Sequence, residues 1–239
     1  VVVVNDFVIP PRNRDSAEQH RGRHFQIWFD TGISGQQLGQ PNQAPDQGTQ
    51  GYYIKDLGIG FGVFKKMDTQ SNYPVMLQGL GPDTANHMEM PTTGAIILRD
   101  NMLINIGEAY IVVNLLPEGL DDDGPHQTLR MKIFGGSNNG EIYDYNVSEM
   151  EEGKRELLMG RTPECDIRIN DKLLSKTQCH VRLYYESENR YRWMLHDGNK
   201  GKASTNGTWL YINEDMKIYD GMVFKANQTI FNVSLEKGA

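Results

Sequence analysis

The chain has 239 residues, 38% hydrophobic and 23% charged, with 25 glycines, which is enough apolar material for one large packed core or two of ordinary size. The net charge of −7 argues against a general nucleic-acid or anionic-membrane surface, because both need broad positive potential. No apolar run approaches the roughly 18 residues of a membrane span, no signal peptide pattern is present, and an opening on Val1 instead of Met leads us to expect a piece of a longer protein.

Taken in order, the elements describe one pattern written twice. Val3-Val4-Asn5-Asp6 resembles Arg168-Ile169-Asn170-Asp171, Arg23 to Phe29 resembles Thr177 to Leu183, and Tyr53-Ile54-Lys55-Asp56 resembles Met194-Leu195-His196-Asp197. Leu98 to Ile104 answers Ile218 to Phe224, and each is followed by an apolar strand, Tyr110 to Val113 and Thr229 to Val233. The first copy begins late and carries insertions, which cost little at a surface because loop-closure entropy grows only logarithmically with length. One insertion is the Gln/Gly/Pro-rich stretch Gly35 to Gln50, expected to be flexible; another, Lys66 to Thr93, holds enough apolar residues, Met67 among them, to cover part of the first copy or, as the alternative, to meet a partner.

Leu116 to Pro125, with Asp121-Asp122-Asp123 inside it, reads as an acidic linker between apolar strands. Beyond it, Leu129 to Phe134 alternates as a half-buried strand does, Gly135 to Gly140 is a turn, and Glu141 to Asn146 a second strand. Ser148 to Glu156 is charged enough for a solvated hairpin loop rather than a helical turn, and Leu157-Leu158-Met159 continues as strand. The polar turn Ser204-Thr205-Asn206-Gly207 then runs into Thr208-Trp209-Leu210-Tyr211. Asn and Gly tolerate the left-handed backbone of a sharp corner, and the strand formers after them anchor it. With Gly160-Arg161 and Ser175-Lys176, it makes three polar loops that could share one mouth.

The order and spacing of Met159-Gly160-Arg161, Glu164 to Ile169, Leu174-Ser175-Lys176 and Ser204 to Trp209 resemble the forkhead-associated domain, a family of β-sandwiches that bind phosphothreonine peptides. The resemblance covers roughly residues 127 to 237. It implies that Arg161 contacts phosphate, that Ser175, Lys176 and Thr205 add donors, and that Asn206 holds the peptide backbone. Chemically, a planar guanidinium suits two parallel bonds to phosphate, and a hydroxyl and an ammonium add further donors. From the residues alone, the plainer reading of Arg161 is a salt bridge to Asp166 or Glu164, of Ser175 and Asn206 turn residues, and of Lys176 a solvated side chain. One departure stands out: three residues after Ser175 the family usually has a bracing His, and here that place is Gln178.

Cys165 and Cys179, the only cysteines, lie outside any CxxC pattern and read as reduced thiols of a cytosolic or nuclear protein, with a single disulfide as the alternative. His180 is a lone His on a strand, and Trp193 and Trp209 read as core aromatics. No catalytic constellation, cofactor motif or metal-ligand cluster stands out. The expectation is therefore an all-β chain of two tandem sandwiches of this family: a degenerate copy at 1–116 lacking its opening strands, a linker at 117–126, and a complete copy at 127–239. Its expected function is non-enzymatic binding of a threonine-phosphorylated protein through Arg161, Ser175, Lys176, Thr205 and Asn206, without nucleic acid, membrane or cofactor. The alternative is a phosphate-independent assembly module of a larger complex. The first copy, with Phe61 where Asn206 stands, Val63 where Thr208 stands and Arg21 where Ser175 stands, is expected not to bind phosphothreonine and to suit a constitutive protein contact instead.

Overall fold

The computed structural model describes residues 24–31, 50–58, 62–68, 94–117, 126–152, 156–187 and 190–236. The Gly35 to Gln50 stretch, most of Lys66 to Thr93, Arg21, Phe61 and the acidic run 118–125 lie outside the described residues. The strands in chain order are β1 (Phe25–Asp30), β2 (Gly51–Asp56), β3 (Val63–Lys66), β4 (Ala95–Ile97), β5 (Leu103–Ile106), β6 (Ala109–Pro117), β7 (His126–Phe134) and β8 (Ile142–Asn146). A short helix α1 (Val147–Glu152) follows, then β9 (Glu156–Gly160), β10 (Ile167–Arg168), β11 (Cys179–Ser187), β12 (Arg190–Asp197), β13 (Trp209–Tyr211), β14 (Met216–Lys217), β15 (Val223–Ala226) and β16 (Thr229–Asn232). The fold is all-β, as the alternating patterns require. In β7, Leu129, Met131 and Ile133 are fully buried while Arg130 and Lys132 between them are only half-buried.

The contacts divide the chain into two compact units, one of residues 1–66 with 211–239 and the other of 67–210. This division does not follow the boundary expected at 117–126. The stretch 118–125 joins β6 to β7, which pair antiparallel from Tyr110↔Phe134 to Leu116↔Thr128, so strands on its two sides lie in one sheet. An antiparallel pair shares its hydrogen bonds and its buried face, so β6 and β7 belong to one layer.

In the second unit, the sheet β10-β9-β11-β12-β4 and the strands β13-β5-β6-β7-β8 enclose one core. Ile104, Ile111, Val113, Met131 and Ile133 come from one side, and Met159, Ile167, Val181, Trp193 and Leu195 from the other. Met67, expected over the first copy, is buried in this core. Residues 147–152 form a helical turn where a solvated loop was expected: Val147 and Met150, three residues apart, put both side chains on one face and bury them there. The first unit gathers Ile54, Val63, Ile212, Ile218, Met222, Phe224 and Ala226 into its own core. Phe25 lies edge-on to Phe224 at 5.4 Å, and Phe224 stacks on Phe231 at 4.8 Å. Trp193 and Trp209 are buried, as the sequence indicates. Among the described residues, no helix is long and apolar enough to cross a membrane.

Ile111 is wholly buried between the two sheets of the second unit, whereas Ile142 is 56% exposed. Ile111→Ala should therefore lower stability by about 2–5 kcal/mol through lost transfer energy and the cavity left behind. Ile142→Ala should stay within about 0.5 kcal/mol of wild type. Urea titrations of the two variants check this, and equal midpoints would place Ile111 outside the core.

Candidate functional site

Three loops of the second unit carry the residues singled out in the sequence. The first leaves β9 at Gly160, whose Cα lies so close to the next loop that a Cβ there would overlap the Lys176 carbonyl and approach Thr177 and Gln178 within about 3 Å. Only glycine permits that approach, which explains the Gly before Arg161. The Arg161 N–H donates to the Ser175 carbonyl at 3.3 Å, and the Thr162 hydroxyl and Cys165 thiol both donate to the Lys176 carbonyl at 3.3 Å. The first and second loops are thus held edge to edge.

The second and third loops meet through side chains. Ser175 Oγ accepts the Thr205 N–H at 2.9 Å and donates to Thr205 Oγ1 at 3.2 Å. Asn206 Nδ2 donates to the Leu173 carbonyl at 2.6 Å, and the Asn206 carbonyl takes the Trp209 indole N–H at 3.1 Å. The structure therefore brings Arg161, Ser175, Lys176, Thr205 and Asn206 to one mouth, all exposed except the half-buried Ser175. The salt bridge expected from the residues alone is not formed. Asp166 accepts the Leu158 N–H at 2.7 Å, and Glu164 is held below the usual carboxylate range by hydrogen bonds from the Thr162 hydroxyl and its own backbone. Among the described residues, Arg161 makes no side-chain hydrogen bond or ion pair, so its guanidinium is available to a ligand.

Behind the mouth lies a buried polar network that the sequence indicated only in part. Gln178 is fully buried; its Oε1 accepts the Ser175 N–H at 3.0 Å, and its Nε2 donates to Ser204 Oγ at 2.8 Å and to the Gly207 carbonyl at 2.9 Å. Asp197 in turn accepts the Ser204 hydroxyl (2.6 Å), the Ser204 N–H (3.0 Å) and the Thr208 hydroxyl (2.7 Å). Gln178 thus does the bracing expected of a His, with an amide that both donates and accepts. Asp197 and Ser204 were missed as site residues; the alignment of Asp197 with Asp56 was the available signal. Asp171 was also missed: it accepts the Leu173 N–H at 2.7 Å and the Glu108 N–H at 2.9 Å, which fixes the loop that presents Ser175.

In the first unit, Asp56 accepts the N–H groups of Gly58 at 2.6 Å and Val63 at 2.7 Å. His180 stacks on His196 at 4.6 Å and points its Nδ1 at the Gly198 carbonyl at 2.8 Å. Burial, then the neighbouring His180, lowers the His196 pKa to about 4, so that ring is neutral at pH 7. Cys165 and Cys179 are both free and buried, and burial pushes the Cys179 thiol up, away from the reactive thiolate.

Gln178→Ala should orphan the Ser175 N–H and the Gly207 carbonyl and leave the Ser204 hydroxyl with Asp197 alone, at a cost of about 1–3 kcal/mol for each orphaned group that water cannot reach. The expected readout is faster amide exchange at Ser175 and in the Ser204 to Gly207 turn, while β6 and β7 keep their protection. Unchanged exchange at Ser175 would show that the brace is dispensable.

No curated protein and no solved structure matches the chain. The family model for the FHA domain matches residues 157–225, under a third of the chain, and a second copy in tandem is not shown. The matched stretch contains all three loops and the whole bracing network from Gln178 to Thr208. Residues 157–225 are therefore an FHA domain, of a family whose members are interaction modules that bind phosphopeptides and are generally not enzymes.

Proposed function

We propose that this chain recognises a threonine-phosphorylated protein or peptide through the mouth of the second unit. The observation that carries this reading is the exposed Arg161 guanidinium, without a side-chain partner among the described residues, on a loop tied by its backbone to Ser175, which is itself tied to Thr205. A phosphothreonine brings about 1.5 to 2 negative charges and three acceptor oxygens, which the Arg161 fork, the Lys176 ammonium and the Ser175 and Thr205 hydroxyls are chemically suited to take. Asn206 already spends one amide hydrogen on Leu173, which orients its side chain and leaves its Oδ1 for a peptide N–H. The net charge of −7 does not prevent this, because salt screens distant carboxylates over about 8 Å. Such an adaptor needs no cofactor, and its two reduced thiols suit the cytoplasm or nucleus.

A phosphate-independent contact of the first half with a constitutive protein partner is a second reading. It is favoured by Ile27, Phe29 and Tyr52, each close to half exposed, with Phe29 and Tyr52 in edge-to-face contact at 4.8 Å. Phosphatase treatment of a captured partner separates the two, since only the first reading loses binding.

Arg161→Ala should cost about 1.5–3 kcal/mol of phosphopeptide affinity, roughly ten- to a hundredfold, without unfolding the unit. Calorimetric titration of wild type and variant with one phosphothreonine peptide checks it, and equal affinities would sink the assignment of Arg161. The same peptide with phosphoserine should bind about fourfold more weakly if the threonine methyl is buried, at about 0.8 kcal/mol per carbon. Indistinguishable affinities would remove a methyl pocket from the site.

A further inference from the structure

The two units repeat each other's strand registers residue for residue. Phe25 pairs with Asp56 and Ile27 with Ile54 in the first unit; Cys179 pairs with Asp197 and Val181 with Leu195 in the second. The Leu57 N–H donates to the His24 carbonyl at 3.0 Å, and the Gly198 N–H to the Gln178 carbonyl at 2.8 Å. A third strand then joins each pair at the same place: Met216 on Ile54 and Lys217 on Tyr53, Ile96 on Leu195 and Ile97 on Met194.

The hairpins that follow repeat as closely. Met102 donates to the Arg99 carbonyl and Met222 to the Tyr219 carbonyl, each at 3.2 Å; Asp100 accepts the Leu115 N–H at 3.0 Å and Asp220 the Leu235 N–H at 2.9 Å. Their tight turns carry Gly107 at φ 54° and Asn227 at φ 55°. Every matched pair in this segment, from Ile96 and Met216 to Leu115 and Leu235, is 120 residues apart.

The chain nevertheless supplies these segments crosswise. β1 to β3 of the first half are completed by β14 to β16 of the second half, and β9 to β13 of the second half by β4 to β6 of the first. The crossings fall after Lys66 and after Leu210, within one residue of equivalent positions, as the Met67 N–H to Thr208 carbonyl bond (2.8 Å) and the Ile212 N–H to Val63 carbonyl bond (2.9 Å) show. The FHA match runs unbroken through residue 225, although residues 211–225 lie in the other unit.

We propose that the chain is an internal duplication whose two copies have exchanged their C-terminal strands within one polypeptide, residues 95–117 for residues 211–236. Exchange of equivalent elements keeps every register and every turn, so it costs little wherever the segments are similar enough to complete either core. One consequence reaches the peptide mouth. The Asp171 carboxylate that fixes the Ser175 loop is held by the Glu108 N–H of the first half, and a Cβ at Gly107 would overlap that carboxylate. The second half thus contains the ligand contacts without one of their supports, and this holds whether or not the loops take phosphate.

Cysteine pairs in the full chain distinguish the arrangements. Lys217 and Tyr53 are cross-strand partners next to the Ile218 N–H to Tyr52 carbonyl bond (2.7 Å), a non-hydrogen-bonded pair whose Cα separation of about 4.5 Å admits a disulfide. Oxidised Tyr53→Cys/Lys217→Cys should give an intrachain disulfide in a monomer, identified by peptide mass, and Ile97→Cys/Met194→Cys should do the same. Tyr53→Cys/Ile97→Cys, the pair an unexchanged chain would join, should stay reduced, as should the parent chain with its two native cysteines. A Tyr53–Ile97 link, absence of the Tyr53–Lys217 link, or a disulfide-bonded dimer in its place would each overturn the proposal.

Discussion

The buried side-chain amide of Gln178 holds together what would otherwise be three separate loops. It sits at the start of β11 with no exposed surface, accepts from the loop before it and donates twice to the loop beyond β12. A buried amide left without partners costs several kcal/mol, so the loops can leave this geometry only by breaking bonds that no water replaces. Asp197 extends the same constraint by taking both donors of Ser204 and the hydroxyl of Thr208. The exposed contacts of the mouth are therefore set in a rigid frame although they lie on loops, and a preorganised site loses less entropy when it binds. A glutamine at this position also gains no proton, whereas a histidine titrates near neutral pH. The brace is thus insensitive to pH in that range.

The division of labour between exposed and buried polar groups follows from their chemistry. Arg161 and Lys176 stand in solvent, where a charge costs nothing to keep and is ready for an anion. Ser204, Thr208 and Gln178 are buried and fully engaged, and their substitution acts on the frame instead of on the ligand. Ser175 and Thr205 belong to both sets, since their mutual hydrogen bonds orient the hydroxyls that face the mouth.

The proposed duplication would account for the sequence pattern and the crossed strands together. Two cores built on one plan accept each other's terminal segments: Met102 and Met222, Ile104 and Phe224, Val113 and Val233 present similar apolar faces.

By itself, the sequence determined the all-β class, because alternation such as that of Leu129 to Phe134 buries one face of a strand and no other element. It also marked the three polar loops, where Gly207 meets a left-handed backbone that favours glycine. It suggested a repeat as well, through short matched stretches such as Tyr53 to Asp56 with Met194 to Asp197. The tertiary structure decided what depends on residues far apart in the chain: that Arg161 has no side-chain partner among the described residues, that Gln178 reaches Ser204 and Gly207, and that Glu108 holds Asp171. It likewise turned Val147 to Glu152 into a helix, because Val147 and Met150 find a core to enter that a local reading of charged residues cannot see. The proposed strand exchange is the extreme case: the same local pattern of alternation and turns would be satisfied by either partner, so only the contacts between distant segments distinguish 95–117 from 211–236.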